Sequence, residues 1–305
     1  MKRNTPSNIP ASVHHRLLSL AKAREEDLSL VMKRYGNERF LYRMSKSPYS
    51  NQYVLKGAML FPLWKMRAYR PTKDLDLLGY GEASEKILKE RFRKICANEV
   101  EEDGLIFDQG SISIEDIRED QEYPGQRVQL ITKLGKAPIN LQIDVGFGDV
   151  VTPEAEMTGY PTLLDFPAPR IRAYPKETVV AEKLQAAVAL EILNSRMKDF
   201  YDLWAISQEF EFSGKTLGQA IELTFQRRRT AIPAISPVAL TTEFAQDPGK
   251  TRLWKTFLER NRLSVGEREL GKIIEEISSF LLPPLLALAD RRPFIKTWPA
   301  GGPWK

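Results

Sequence analysis

The sequence predicts an α+β fold in two parts, a mixed α/β half followed by an α-helical half. Three observations carry that prediction. Between Arg70 and Phe147 several segments alternate polar and apolar residues with the two-residue period of strands. Beyond Glu177 the apolar residues recur with the 3.6-residue period of helices. Between these parts, Pro153, Pro161, Pro167, Pro169 and Pro175 punctuate a connector in which neither period is kept. The boundary near residue 175 gives an N-terminal helical segment over 1–50, a mixed core over 51–175 and a helical domain over 176–305.

Val13, Leu17, Leu20, Leu28 and Val31 predict one helix over 11–35, with Lys22, Arg24, Glu25, Glu26 and Asp27 on its polar side. Turn residues around Pro48 follow, then Val54 and Leu55 run into Lys56-Gly57-Ala58 and a short apolar stretch from Met59 to Met66. Pro62 limits how early a helix can start there, because proline is tolerated only in a first turn. Asp74 to Leu78 reads as a strand stopped by Gly79 and Gly81, and Ser84 to Val100 as a helix with Ser84 at its N-cap. Strands are predicted over 112–117, 127–132 and 139–147, the last two joined by a hairpin turn around Gly135. Helices follow over 177–193 and 198–210, then after Lys215, Thr251 and Ser264.

The composition narrows the function classes. The chain has 305 residues, 45 basic against 40 acidic, for a net charge of +5. A hydrophobic content of 42% excludes a disordered or fibrous chain. The single cysteine, Cys96, excludes an intrachain disulfide framework and a cysteine-built zinc site, and suits a reducing cytoplasm. No apolar run is long enough to span a membrane; the nearest, Phe280 to Ala289, is broken by Pro283 and Pro284. No apolar stretch follows Lys2 and Arg3, so no secretory signal is expected. An isoelectric point near 9.1 suits a polyanionic partner.

Asp74 and Asp76 are the sharpest local feature. At i and i+2 of a strand both carboxylates leave one face, while Leu75 and Leu77 bury the other. An isolated pair of this kind is first read as the solvated face of an edge strand. Asp144 changes that reading. In Asn140 to Phe147 it lies on the polar face of a second strand, opposite Leu141, Ile143 and Val145. Three acids from two strands can hold divalent cations and activate a hydroxyl for phosphoryl or nucleotidyl transfer. Asp149 is a nearby alternative that, after Gly148, reads better as a turn cap. Gly57 before a helix N-terminus allows backbone N–H groups to approach a phosphate, or simply makes a tight turn. Lys183, among Val179, Val180, Ala186 and Ala187, either snorkels outward or reaches a buried anion. Asp199 and Asp202 share a helix face, and Lys198 with Asp202 can form an i, i+4 pair.

Leu55-Lys56-Gly57-Ala58 and Arg70-Pro71-Thr72-Lys73-Asp74-Leu75-Asp76-Leu77 together resemble the opening motif of the AbiEii nucleotidyltransferase toxins. Gln142-Ile143-Asp144-Val145, Glu182-Lys183-Leu184-Gln185-Ala186 and Lys198-Asp199-Phe200-Tyr201-Asp202-Leu203 resemble later motifs, in the expected order, over roughly residues 50–210. The resemblance implies a polymerase-β-like nucleotidyltransferase core of mixed sheet and flanking helices, followed by an α-helical C-terminal domain. It implies Mg²⁺ held by Asp74 and Asp76 with Asp144 as third carboxylate. Lys56, Gly57 and Ala58 would bind the NTP, Lys183 would contact its triphosphate, and Asp199 and Asp202 would shape the site. Many members carry a Ser or Thr shortly after the glycine, whereas this chain reads Gly57-Ala58-Met59. The implied activity is NMP transfer from an NTP to an RNA acceptor, with the 3′ end of tRNA as candidate, blocking translation and growth. The implied partner is a cognate antitoxin. Two other readings share the residues: a catalytically silent binding module, and a nucleotidyltransferase acting on a small molecule of antibiotic type. Lys65, Arg67, Arg70 and Lys73, the run Arg227-Arg228-Arg229, and Arg252, Lys255, Arg260 and Arg262 would offer charge to triphosphate or RNA, or form solvated faces.

Overall fold

The computed structural model describes residues 8–66, 70–117 and 125–305; Lys2, Arg3 and Arg67 lie outside them. The chain divides into two compact units. The first comprises Met1–Trp64, Thr72–Gly148 and Glu156–Ala173, and the second comprises Lys65–Pro71, Asp149–Ala155 and Tyr174–Lys305.

The first unit opens with α1 (Ile9–Ala23) and α2 (Leu28–Lys46), two helices where the sequence predicts one. Glu25 turns left-handed at φ 54°, and Asp27 accepts the Ser29 N–H at 2.7 Å to cap α2. Asp27 is thus a cap and not part of a polar helix face, which suits aspartate better. α2 also continues well past residue 35. Its later polar residues are interior: Arg39 and Arg43 are buried and paired with Asp103 at 2.9 and 2.6 Å. Charges inside a helix packed all round conceal the apolar stripe from any periodicity count.

The chain continues through β1 (Tyr53–Lys56), α3 (Leu60–Leu63), β2 (Leu75–Gly79), α4 (Glu85–Ala97), β3 (Leu105–Asp116), β4 (Gly125–Leu134), β5 (Ala137–Phe147), β6 (Glu156–Gly159) and β7 (Arg170–Ala173). These strands form one mixed sheet in the order β3-β4-β5-β2-β1-β7-β6. β2 runs parallel to β5 and β1 parallel to β7, whereas the other neighbours are antiparallel. Leu75, Leu77, Leu141, Ile143 and Val145 are fully or almost fully buried. A Cβ on Gly36 of α2 would come within 2.9 Å of the Leu141 side chain, so α2 lies close against β5. Phe40 of α2 stacks on Phe92 of α4 with ring centroids 5.3 Å apart. The opposite face keeps its polar residues partly exposed, and the candidate carboxylates lie there.

Three further expectations change. The Pro-rich connector contains β6 and β7, four residues each and paired with each other. Strands so short fall below the window in which a period can be read. β3 begins at Leu105, not residue 112, because a register shift between Asp108 and Ser113 interrupts its alternation. α4 ends at Ala97, and Ser84 occupies the N-cap position without its hydroxyl accepting a capping hydrogen bond.

The second unit contains α5 (Lys176–Leu190), α6 (Met197–Glu209), β8 (Phe212–Ser213), α7 (Gly214–Arg227), α8 (Thr242–Gln246), α9 (Pro248–Asn261), α10 (Leu270–Ala289) and β9 (Thr297–Trp298). α10 runs through Pro283 and Pro284, so the apolar stretch read as broken is helical. Phe280 on this helix packs against Phe212 and Trp298, each at 4.9 Å between centroids. Such burial offsets the backbone hydrogen bonds that proline forfeits. Among the described residues no helix is long and apolar enough to cross a membrane.

Candidate active site

The first unit places a row of charges on the polar face of its sheet. Asp76 on β2 pairs in register with Asp144 on β5, Asp144 with Arg127 on β4, and Arg127 with Glu115 on β3. On the other side Asp76 is opposite Lys56 on β1. Directly paired residues point to the same face of a sheet, so the row reads Glu115, Arg127, Asp144, Asp76, Lys56. Asp74 immediately precedes β2, two residues before Asp76. Parallel pairing of β2 with β5 thus sets Asp76 directly beside Asp144.

Gly57 fits against this row. Its φ is +71°, and a Cβ there would lie 1.9 Å from Oδ2 of Asp76. Both the backbone conformation and the space therefore require glycine. Lys56, one residue earlier, extends its ammonium to 4.0 Å from the place a Cβ on Gly146 would take, beside β5. Ala58 lies in a short 3₁₀ turn leading to α3, with its methyl buried.

Asp144 is held in a two-pronged ion pair. Arg127 donates from Nε to Oδ1 at 2.9 Å and from Nη2 to Oδ2 at 2.8 Å. The Asp144 hydrogen bond, helped by the charges of Asp144, Asp74 and Glu115, holds the guanidinium above the ordinary arginine pKa despite some burial. Among the described residues no three acidic, histidine or cysteine side chains converge into a ready metal-binding group. Two carboxylates on facing positions repel without a cation, and at Asp144 Arg127 supplies a positive charge. The donors on this partly exposed face are carboxylate oxygens, the hard kind that Mg²⁺ takes, and the close fit at Gly57 leaves room there only for backbone, but the three acids are not gathered into one group.

The second unit holds a separate ionic network around α5 and α6. Lys183 reaches Asp199 Oδ1 at 2.5 Å and Asp202 Oδ2 at 2.9 Å, so it turns inward and does not snorkel. Arg196 pairs with Asp199 at 3.0 Å. Arg70 donates to both oxygens of Asp202, whose side chain is 1% exposed. Asp202 thus joins Lys183 and Arg70 in place of the simple helix pair with Lys198. Burial disfavours the Lys183 ammonium, but the Asp199 and Asp202 carboxylates outweigh it and raise the pKa above the usual lysine value. Asp199 shows the converse: burial pushes it up, and Lys183 and Arg196 prevail and hold it down.

Arg228 builds another internal knot in this unit. It pairs with Asp149 at 3.0 Å and Glu182 at 3.3 Å, and donates to Gln185 Oε1 at 2.9 Å. This arginine is therefore taken out of the proposed basic surface, and Asp149 is its ion-pair partner. The sequence reading left Arg127, Arg196, Arg228 and the Arg70–Asp202 pair outside its candidate site. The sequence reading has Arg127 open a strand, but only the β4–β5 register identifies its partner. No local signal links Arg70 to a residue 132 positions away.

A family model described as "Nucleotidyl transferase AbiEii toxin, Type IV TA system" matches residues 39–276. No curated protein matches the chain. Among solved structures, JHP933 from Helicobacter pylori is 16% identical, with 83% of this chain and 90% of that chain covered and a TM-score of 0.46. A second H. pylori protein, provisionally described as a nucleotidyltransferase, is 15% identical with 84% and 94% covered and a TM-score of 0.45. Because the family model spans most of its length, the chain belongs to the AbiEii family of toxin nucleotidyltransferases, from type IV toxin–antitoxin systems.

Proposed function

We propose that this nucleotidyltransferase transfers NMP from an NTP to an RNA hydroxyl, with the 3′ end of tRNA as the favoured acceptor, and so blocks translation and growth in the cytoplasm. A cognate antitoxin would relieve the block. The observation that carries the reading is the register of Asp76 opposite Asp144, with Gly57 fitted against Asp76, inside the span matched by the family.

In this reading Asp74, Asp76 and Asp144 would hold Mg²⁺. When bound, the ion supplies positive charge to the triphosphate and the acceptor oxygen. Lys56 and the backbone around Gly57 and Ala58 bind the phosphates, and in the second unit Lys183 is kept charged by its carboxylates. Asp199 and Asp202 keep that lysine oriented. The acceptor hydroxyl gives its proton to an Asp144 carboxylate oxygen. Its oxygen then forms a bond to the α-phosphorus as the bond to the β-phosphate oxygen breaks, and pyrophosphate leaves.

The test is incubation of the protein with each α-labelled NTP, Mg²⁺ and total RNA. Label in a tRNA-sized band with at least one NTP is the expected result. Label on a small hydroxylated acceptor alone would replace RNA with a small-molecule substrate. No transfer to any acceptor would overturn the reading.

A further inference from the structure

The two-pronged pair between Arg127 and Asp144 occupies the carboxylate that the proposed site needs for its cation. We propose that Arg127 is a positioning residue that competes with the divalent ion for Asp144, keeping the site closed to free metal; this rests on the proposed ligand role of Asp74, Asp76 and Asp144. Three features support competition over permanent scaffolding. The Arg127 side chain is 36% exposed and that of Asp144 21%, so the guanidinium has a solvent path away from its partner. Both oxygens of Asp144 are engaged at once, so a cation approaching either one meets the guanidinium. Glu115 lies directly opposite Arg127 on β3, an acid beside which the displaced charge remains paired. A buried, fully desolvated pair would lock the carboxylate, whereas a partly exposed one can open into water.

Binding of Mn²⁺ alone to the intact protein, followed by loss of the free-ion electron-spin signal, tests this apart from activity. Arg127→Gln is expected to bind Mn²⁺ roughly tenfold more tightly than wild type, the weight of about 1.4 kcal/mol. Arg127→Lys should fall between, since it keeps the charge but loses the fork. It also carries the comparison if the glutamine variant melts early. Adding Asp76→Asn to Arg127→Gln should abolish the gain. Equal affinities for wild type and both Arg127 variants, with Asp76→Asn weakening binding, would overturn the competition and leave the carboxylate reading standing. No Mn²⁺ binding by any of these proteins, with or without a mixture of the four NTPs, would overturn both.

Discussion

Gly57 is the residue at which backbone and site requirements coincide most tightly. Its left-handed φ and the Asp76 carboxylate beneath it both exclude a side chain. Gly57→Ala is therefore expected to lose about 1–3 kcal/mol of stability, read as a lowered urea midpoint, and to reduce transfer sharply. Wild-type stability together with wild-type transfer would show that Asp76 can move aside without consequence. Glu38 makes a second residue-scale prediction. It is buried on α2 and accepts the Leu163 N–H at 2.7 Å, while its other oxygen lies buried without a hydrogen bond. Burial pushes its carboxyl up to about 7, against the opposing effects of the Leu163 hydrogen bond and Arg39. A group whose pKa is raised on folding binds its proton more tightly when folded, so its contribution to stability grows as pH falls from 7 toward 4.5. Glu38→Gln should remove that slope, a change on the order of 3 kcal/mol across the window. Urea unfolding at several pH values measures it, and parallel profiles for the two proteins would contradict it.

At the scale of elements, β2 and β5 were legible from alternation alone, and so was the polar face on which Asp74, Asp76 and Asp144 were expected. Their neighbours were not. β6 and β7 are too short to show a period, and α2 conceals charged residues in the interior whose partners, Asp103 foremost, lie elsewhere in the chain. Cross-strand partners such as Arg127 follow from register, which a single strand's sequence does not encode. The α5–α6 network was half visible: shared helix faces brought Asp199 and Asp202 forward, but Arg70 comes from far along the chain. That network also predicts its own response. Lys183→Met leaves the buried Asp199 and Asp202 short of a cation and should destabilise the protein by roughly 3–5 kcal/mol. Since Asp199 titrates below and Lys183 above their usual values, the network stabilises in the middle range of pH. Its Asp199 part is lost as pH falls below 3.8 and through the folded value, and its Lys183 part as pH rises above 10.5 and through the folded value. Thermal melts across pH would find Lys183→Met without the alkaline limb if this account holds.

Across the whole molecule, the sequence correctly anticipated a mixed sheet followed by helices, because long periodic segments dominate both parts. It misjudged where those segments begin and end, because caps, bulges and paired interior charges depend on tertiary partners. The lone Cys96 offers a global probe: it is buried, and burial pushes its thiol up to about 12. Labelling by a thiol reagent at neutral pH should be slow until denaturant unfolds the chain. The functional account itself turns on Asp76 and Asp144 acting together at one site. Its most direct measurement is the rate of labelled NMP transfer to RNA by Asp76→Asn and Asp144→Asn, each with a wild-type melting profile. The account predicts that both fall by roughly 10² or more, the scale of losing a charge-stabilising group at a reacting centre; transfer near the wild-type rate in either folded variant would contradict it.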